Sequence, residues 1–393
     1  MFDFISAVPK WIDQDIYPYF PVIESATDRT VYVEGIGRTI MYASCDYLGL
    51  SNDDRIKKAA IAAIEQFGTN VCGSIIFSGY TTIHRKLTRE LEAFFNTGEA
   101  LLFPTSYLAN LGVLSTLYGT DDVIICDRQN HVSLFQGASL SGAKVAIYRH
   151  NDMNMLEKQL RKHAKAAKRL IVVDGLFSAD GDYVDLPSVV SLAERYNAQI
   201  MLDSAHDFGL VGENGRGVAE HFGLLDRIDI LIGTMSKALG STGGFVICNS
   251  TMATQLRHAS GPFHSSRTIS PGVAAASLKA LEVLREEGKE RRQRVHELSN
   301  HFIAGARANQ YDVLNTISPI IPVMLGSTDL TLQATSYLRS RNVLVSAFIP
   351  PATPSNKARL RFGITYNHTP QDIDHTTQLL SAMSESLNIS AIR

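Results

Sequence analysis

Short runs of Val, Ile and Leu alternate with stretches of helical period through the middle of this chain. The apolar runs are Ala100–Phe103, Val123–Cys126, Val145–Tyr148, Leu170–Val173, Gln199–Leu202, Asp229–Ile232 and Gly244–Cys248. Between them, segments such as Met155–Ala167 and Leu186–Tyr196 repeat apolar residues every three or four positions. Nearly uninterrupted apolar strands alternating with helices predict a mostly parallel α/β sheet, covered by helices on both faces. Ahead of it, Arg29–Val33 and Arg38–Met41 flank a Gly35-Ile36-Gly37 turn and predict a small antiparallel piece. Asp54–Phe67 reads as a helix capped by Asn52 or Asp53. Past Pro271 the pattern changes to a long helix over 272–308, strands at Ile320–Met324 and Val343–Ile349, and a last helix over Pro370–Leu387 with Thr369 as its cap. The expected organisation is an arm with a β piece over 1–50, a large α/β domain over 51–271 and a smaller α+β domain over 272–393.

Composition narrows the class. Hydrophobic residues make up 45% and charged residues 19% of the 393, which is a globular balance and not a disordered or fibrous one. The 37 basic and 39 acidic residues leave a formal charge of -2, so no general attraction to nucleic acid follows. Basic runs such as Arg161–Lys165 read as solvated helix faces. No stretch approaches the roughly 18 apolar residues of a membrane span. The start, with Asp3, Asp13 and Asp15, lacks the form of a secretion signal. Cys45, Cys72, Cys126 and Cys248 are scattered without metal-ligand spacing. A cytoplasmic enzyme with free thiols and no metal site is the expectation.

Candidate chemistry gathers where the parallel strands end, the edge at which open α/β sheets bind ligands. Asp203, Ser204, Ala205 and His206 follow one apolar run; Gly233, Thr234, Met235, Ser236 and Lys237 follow another. Asp174, Gly175 and Ser178 follow a third. A lone lysine in such a place can simply extend to solvent. With an acid and a histidine delivered to the same edge, it can instead be a Schiff-base lysine. Asp203 then suits the ring nitrogen of pyridoxal phosphate, and the Thr234 and Ser236 hydroxyls suit its phosphate.

These residues carry a family resemblance. The segments Asp203–His206, Gly212–Gly217 and Gly233–Gly240 resemble those of the α-oxoamine synthases, which are fold-type-I pyridoxal-phosphate enzymes. Ordered matches at Asp46–Gly49, Ser78–Leu91, His131, His150–Asp152, Ser178–Asp182, Pro350–Pro351 and Arg359–Arg361 extend it over nearly the whole chain. The resemblance implies a fold-type-I transferase with a smaller C-terminal domain. Lys237 would hold the cofactor and move protons, Asp203 would pair with the ring nitrogen, His206 would bond the ring oxygen and His131 would stack on the ring. Ser178 would lie near the cofactor oxygen. Ser106 and Tyr107, opening a helix, join Thr234 and Ser236 as phosphate ligands. Arg361 would grip the amino-acid carboxylate. In the implied reaction the amino acid loses its α-proton, attacks an acyl thioester on coenzyme A or a carrier protein, and loses carbon dioxide to give an α-amino ketone. A homodimer with shared active sites is also implied. A fold-type-I aminotransferase or carbon–carbon lyase using the same lysine is the alternative, and a non-catalytic binding homologue a third reading.

The chain departs from the family pattern at several positions. Cys45 replaces an asparagine, Ser204 an acid, and Ser106 a glycine. Ile75 replaces an arginine, which suggests a less polar acyl entrance. Cys45 reads as a small wall of the substrate site, with no base beside it in sequence. Ser265-Ser266-Arg267 stands where the family segment reaches the neighbouring subunit, so Arg267 is either a cofactor or substrate contact across a dimer or a surface arginine.

Overall fold

A computed structural model describes residues 3–389; Met1 and Phe2 of the expected arm, and 390–393 of the expected C-terminal domain, lie outside it. Strands β1 (Thr30–Val33) and β2 (Gly37–Met41) come first. Seven strands follow: β3 (Glu99–Phe103), β4 (Val123–Asp127), β5 (Lys144–Tyr148), β6 (Arg169–Asp174), β7 (Gln199–Asp203), β8 (Ile230–Thr234) and β9 (Gly244–Cys248). The last are β10 (Ile320–Gly326), β11 (Val343–Leu344), β12 (Ser346–Phe348) and β13 (Ala358–Gly363). The chain divides into two compact units. One takes the chain up to Asn52, the short segment Ser178–Asp182 and everything from Glu290 onward; the other takes Asp53–Phe177 and Tyr183–Lys289.

The larger unit is built on one sheet in the order β3-β9-β8-β7-β6-β4-β5. Its β4–β5, β4–β6, β6–β7 and β7–β8 pairings are parallel, and β9 runs antiparallel to both β8 and β3. Successive side chains of a strand face opposite ways, and here each way is a core. Ile124, Cys126, Leu170 and Val172 join one cluster beneath the helices Ser106–Leu117 and Val132–Leu140. Val123, Ile125, Ile171 and Val173 join the other, with Leu156 and Val189 from the helices Met153–Lys162 and Leu186–Tyr196. Burial on both faces is the reason these strands read as continuous apolar runs.

The Asp54–Phe67 helix forms with Asp53 as its cap, the Asp53 carboxylate accepting from Arg55 N at 2.9 Å. The expected Met155–Ala167 helix instead spans Met153–Lys162. Asp152 caps it by accepting from Met155 N at 2.9 Å, and beyond His163 the chain turns so that Ala167 N donates to Asp121 O.

In the smaller unit β2 pairs with β1 and β11, while β13 lies between β10 and β12 in an antiparallel sheet. The run Val343–Ile349, expected as one strand, serves both sheets. Val343 and Leu344 pair with Ile40 and Met41, and Ser346–Phe348 pairs with Arg359–Arg361. The Thr328–Arg339 and Pro370–Ser386 helices pack against a core that includes Tyr42, Phe302, Leu338, Phe362 and Leu380. Thr369 caps the last helix through a reciprocal pair with Asp372.

Candidate active site

The carboxyl ends of β6, β7 and β8 deliver the acids and hydroxyls of the larger unit. Asp174 and Asp203 end adjacent parallel strands and face each other in register. Both are buried. Asp203 Oδ2 accepts from Asn110 Nδ2 at 2.7 Å, and its Oδ1 accepts from Ala205 N at 3.0 Å. The same Asn110 amide donates to Ser133 Oγ at 2.9 Å, and Ser133 Oγ lies 2.7 Å from His131 Nδ1. His131 N in turn donates to Asp174 Oδ2 at 3.1 Å. A closed chain of polar contacts thus runs Asp203–Asn110–Ser133–His131–Asp174.

Charge in this group is unevenly placed. Burial pushes the Asp174 carboxyl far above the ordinary carboxylate range, the nearby Asp203 charge adds to this, and the Lys237 ammonium opposes it. Partial desolvation holds the His131 imidazole below its ordinary value, with Asp203 raising it and Lys237 lowering it again. Lys237 is therefore felt at both His131 and Asp174. His131 itself keeps an exposed edge, with the Tyr107 ring set edge-on at 6.2 Å. Tyr107 OH donates to Gln136 Oε1.

A second feature of this unit is a helix start held against a strand start. Thr105 caps the Ser106–Leu117 helix by accepting from Leu108 N at 3.1 Å. A Cβ on Gly244, the first residue of β9, would lie 2.3 Å from Ser106 N, so only glycine lets the two backbones meet there. At the end of β8, Thr234 Oγ1 lies 2.8 Å from Ser236 Oγ and donates to Gly243 O at 3.1 Å. Thr234 is buried, whereas Ser236 is exposed and Lys237 half-buried.

The smaller unit holds Arg361, Cys45 and Ser178. Arg361, on β13, is buried; its Nε donates to Ser178 O at 2.8 Å and its Nη2 to Tyr47 OH at 3.1 Å. Both Nη atoms lie 3.7 Å from Cys45 Sγ. Cys45 thus faces a guanidinium in the fold. Burial works against the Arg361 charge, but Cys45 and Tyr47 overcome it and raise the group above its ordinary value. Arg359, two residues earlier on the same strand, donates to Asp180 and to Ala179 O, so one face of β13 anchors the Ser178–Asp182 segment twice.

Other expected residues take plainer positions. His206 is half-buried in the turn after β7. Ile75 is half-buried and packs against the core that contains Leu101 and Phe103. Arg267 is exposed, following Ser266, whose hydroxyl donates to Pro262 O. The four cysteines are free thiols. Among the described residues no helix is long and apolar enough to cross a membrane.

Asn110 and Ser133 were not among the residues singled out from sequence. The available signal was a polar side chain inside the otherwise apolar turn Leu108–Leu111. Asp207 was passed over too; it is fully buried one residue after His206.

The larger unit's residues fit pyridoxal phosphate. Asn110 Oδ1 and Asp174 Oδ1 are buried without a hydrogen-bond partner, so the polar chain has unused capacity at Asn110 and at Asp174. The Gly244 contact forms a backbone cradle at a helix N-terminus, which suits a phosphate.

Comparison with known proteins agrees with this. The family model for aminotransferases of class I and II matches residues 39–380. A serine palmitoyltransferase of Bacteroides thetaiotaomicron is 37% identical over 380 residues, covering 97% of this chain and 96% of that protein. An 8-amino-7-oxononanoate synthase of Stutzerimonas stutzeri is also 37% identical, over 98% of this chain and 96% of the other. Among solved structures, a lysine-to-alanine variant of serine palmitoyltransferase from S. paucimobilis with a bound pyridoxal phosphate–myriocin aldimine superposes with a TM-score of 0.95 at 30% identity, covering 98% of both chains.

Proposed function

The chain belongs to the α-oxoamine synthases, pyridoxal-phosphate-dependent C-acyltransferases of fold type I, and we propose that it condenses an α-amino acid with an apolar acyl thioester, with loss of carbon dioxide. The observation that carries the site assignment is the hydrogen-bonded Asp203–Asn110–Ser133–His131 chain, buried up to Ser133, with the Lys237 charge felt at its His131 end.

When bound, the cofactor supplies an electron sink that stabilises a carbanion at the amino acid's α-carbon. Lys237 Nζ holds the cofactor, then takes the α-proton and returns it to the product. Asp203, kept in place by its Asn110 and Ala205 bonds, would pair with the ring nitrogen. His131 covers the ring face and positions the reacting acid, its Nδ1 fixed by Ser133. His206 would bond the ring oxygen, and Ser178 would lie near it. Ser106, Tyr107, Thr234 and Ser236 take the phosphate, with Arg267 reaching it or the substrate from a second copy. Arg361 binds the amino-acid carboxylate, and Cys45 forms the wall beside it.

Ile75, set on an apolar core, places no cation at the acyl entrance, and this favours a hydrocarbon acyl chain over one ending in a carboxylate. Asp203 and Lys237 act from one chain, and a homodimer completes the site.

The test is the visible spectrum of the holoenzyme during titration with glycine, alanine and serine, followed by assay of free thiol release with palmitoyl and pimeloyl thioesters. A saturable shift with one amino acid and faster thiol release from palmitoyl thioester are expected. Release favouring pimeloyl thioester would overturn the acyl assignment; a spectral shift without thiol release would overturn the condensation itself.

A further inference from the structure

Behind Asp203 lies a third carboxyl for which the proposed reaction has no use. Asp207 has no solvent exposure. Its Oδ2 accepts from Val218 N at 2.6 Å and from Ser204 Oγ at 3.3 Å, while its Oδ1 has no hydrogen-bond partner. Two backbones lack a Cβ where this carboxyl sits. A Cβ on Gly175 or on Gly217 would each lie 2.6 Å from Asp207 Oδ2. Gly175 is also the residue whose N–H donates to Asp203 O at 2.9 Å. The fold therefore makes room for an acid beside the strand-end acids, at the cost of burying it with an oxygen unmatched.

The surroundings offer little to neutralise it. From the end of β7, the Asp203 charge acts on it and raises its carboxyl further. Tyr183 is close enough for the Asp207 charge to raise its phenol. From the Gly217–His221 side, Glu220 is engaged by the backbone of Asn214 and Arg216, and Arg216 lies near Glu220 and over the Phe94 ring. Two neighbouring buried carboxyls do not both ionise without cost. Burial pushes the Asp207 carboxyl up to about 7, with Val218 N lowering it and Asp203 raising it.

Resting on the reading that Asp203 meets the cofactor's ring nitrogen, we propose that Asp207 is a positioning residue. Buried with one oxygen unmatched, it gives its proton to solvent when a cation is paired with Asp203. The ring cation is then balanced by two carboxylates in place of one. No bond other than the O–H of Asp207 is broken, and the proton passes to buffer.

The experiment is calorimetry of pyridoxal phosphate binding to the cofactor-free protein at pH 7, in buffers of different ionisation enthalpy, which counts protons exchanged per site. Wild type is expected to release about half a proton more than Asp207→Asn, the amount available from a group half-ionised at that pH. A merely structural aspartate would change affinity without changing this count. Equal counts in the two proteins overturn the proposal. Failure of wild type to bind the cofactor overturns the underlying reading of Asp203 instead. If Asp207→Asn does not fold, Asp207→Ser replaces it. If neither folds, the wild-type count from about pH 5 to about pH 9 decides: a maximum near neutrality supports the proposal, and a flat profile overturns it.

Discussion

Asn110 divides its amide between Asp203 and Ser133, and few side chains in the larger unit carry as much of the proposed site. Replacing it with leucine keeps the volume and removes both bonds, leaving a buried carboxylate oxygen short of a donor. Asn110→Leu is expected to cost about 1–3 kcal/mol of stability, read from the denaturation midpoint at unchanged slope. Lys237→Ala tests chemistry and not folding. It is expected to keep its melting temperature, lose the visible band of the bound cofactor and lose about a thousandfold or more in turnover. An active, coloured Lys237→Ala protein would remove the lysine from its role. The roles of Asp203 and Lys237 were suggested by their places in the sequence and that of Arg361 by the family resemblance, but the partners of Asp203 and Arg361 were not. Asn110 meets Asp203 across 93 positions and Tyr47 meets Arg361 across 314, separations at which no local pattern carries a signal.

Elements set these side chains in place through their ends. The start of β9 touches the start of the Ser106–Leu117 helix only because Gly244 has no side chain. Gly244→Val is expected to destabilise by about 1–3 kcal/mol through overpacking and to weaken pyridoxal phosphate binding as the helix start is displaced. Binding titration checks the second effect separately from the first. In the smaller unit, the turn before the last helix depends on His368, which is buried, stacked on Tyr42 at 4.5 Å and accepts from Thr365 N at 2.9 Å. Burial lowers its imidazole to about 4, with Asp372 raising it and Arg29 lowering it. A depressed value means that the unfolded chain takes the proton first as the pH falls. The stabilisation is therefore complete above about pH 6.5 and is lost progressively toward pH 4, amounting to about 3 kcal/mol. Melting curves should show His368→Gln losing less stability than wild type over that window. The Val343–Ile349 run shows where element reading falls short. Apolar content marked an extended segment, but only its pairing partners split it between two sheets.

At the scale of the whole molecule, the proposed dimer makes activity depend on concentration. Specific activity is expected to fall when the protein is diluted below its dimer dissociation constant. Arg267→Ala should weaken cofactor or substrate binding, and unchanged affinities for both would leave Arg267 as a surface residue. The α/β class, the strands of the parallel sheet and the strand-end chemistry followed from sequence alone. Burial on both sides and the requirement that ligands meet strand ends impose local patterns: unbroken apolar runs closed by Asp203 or Thr234. Tertiary structure alone decided that Cys45 faces Arg361, that Asn110 holds Asp203 and that Asp207 lies buried between Gly175 and Gly217. Such contacts depend on which distant segments share an interior, and the cost of burying a charge or an unpaired polar atom exists only once that interior has formed.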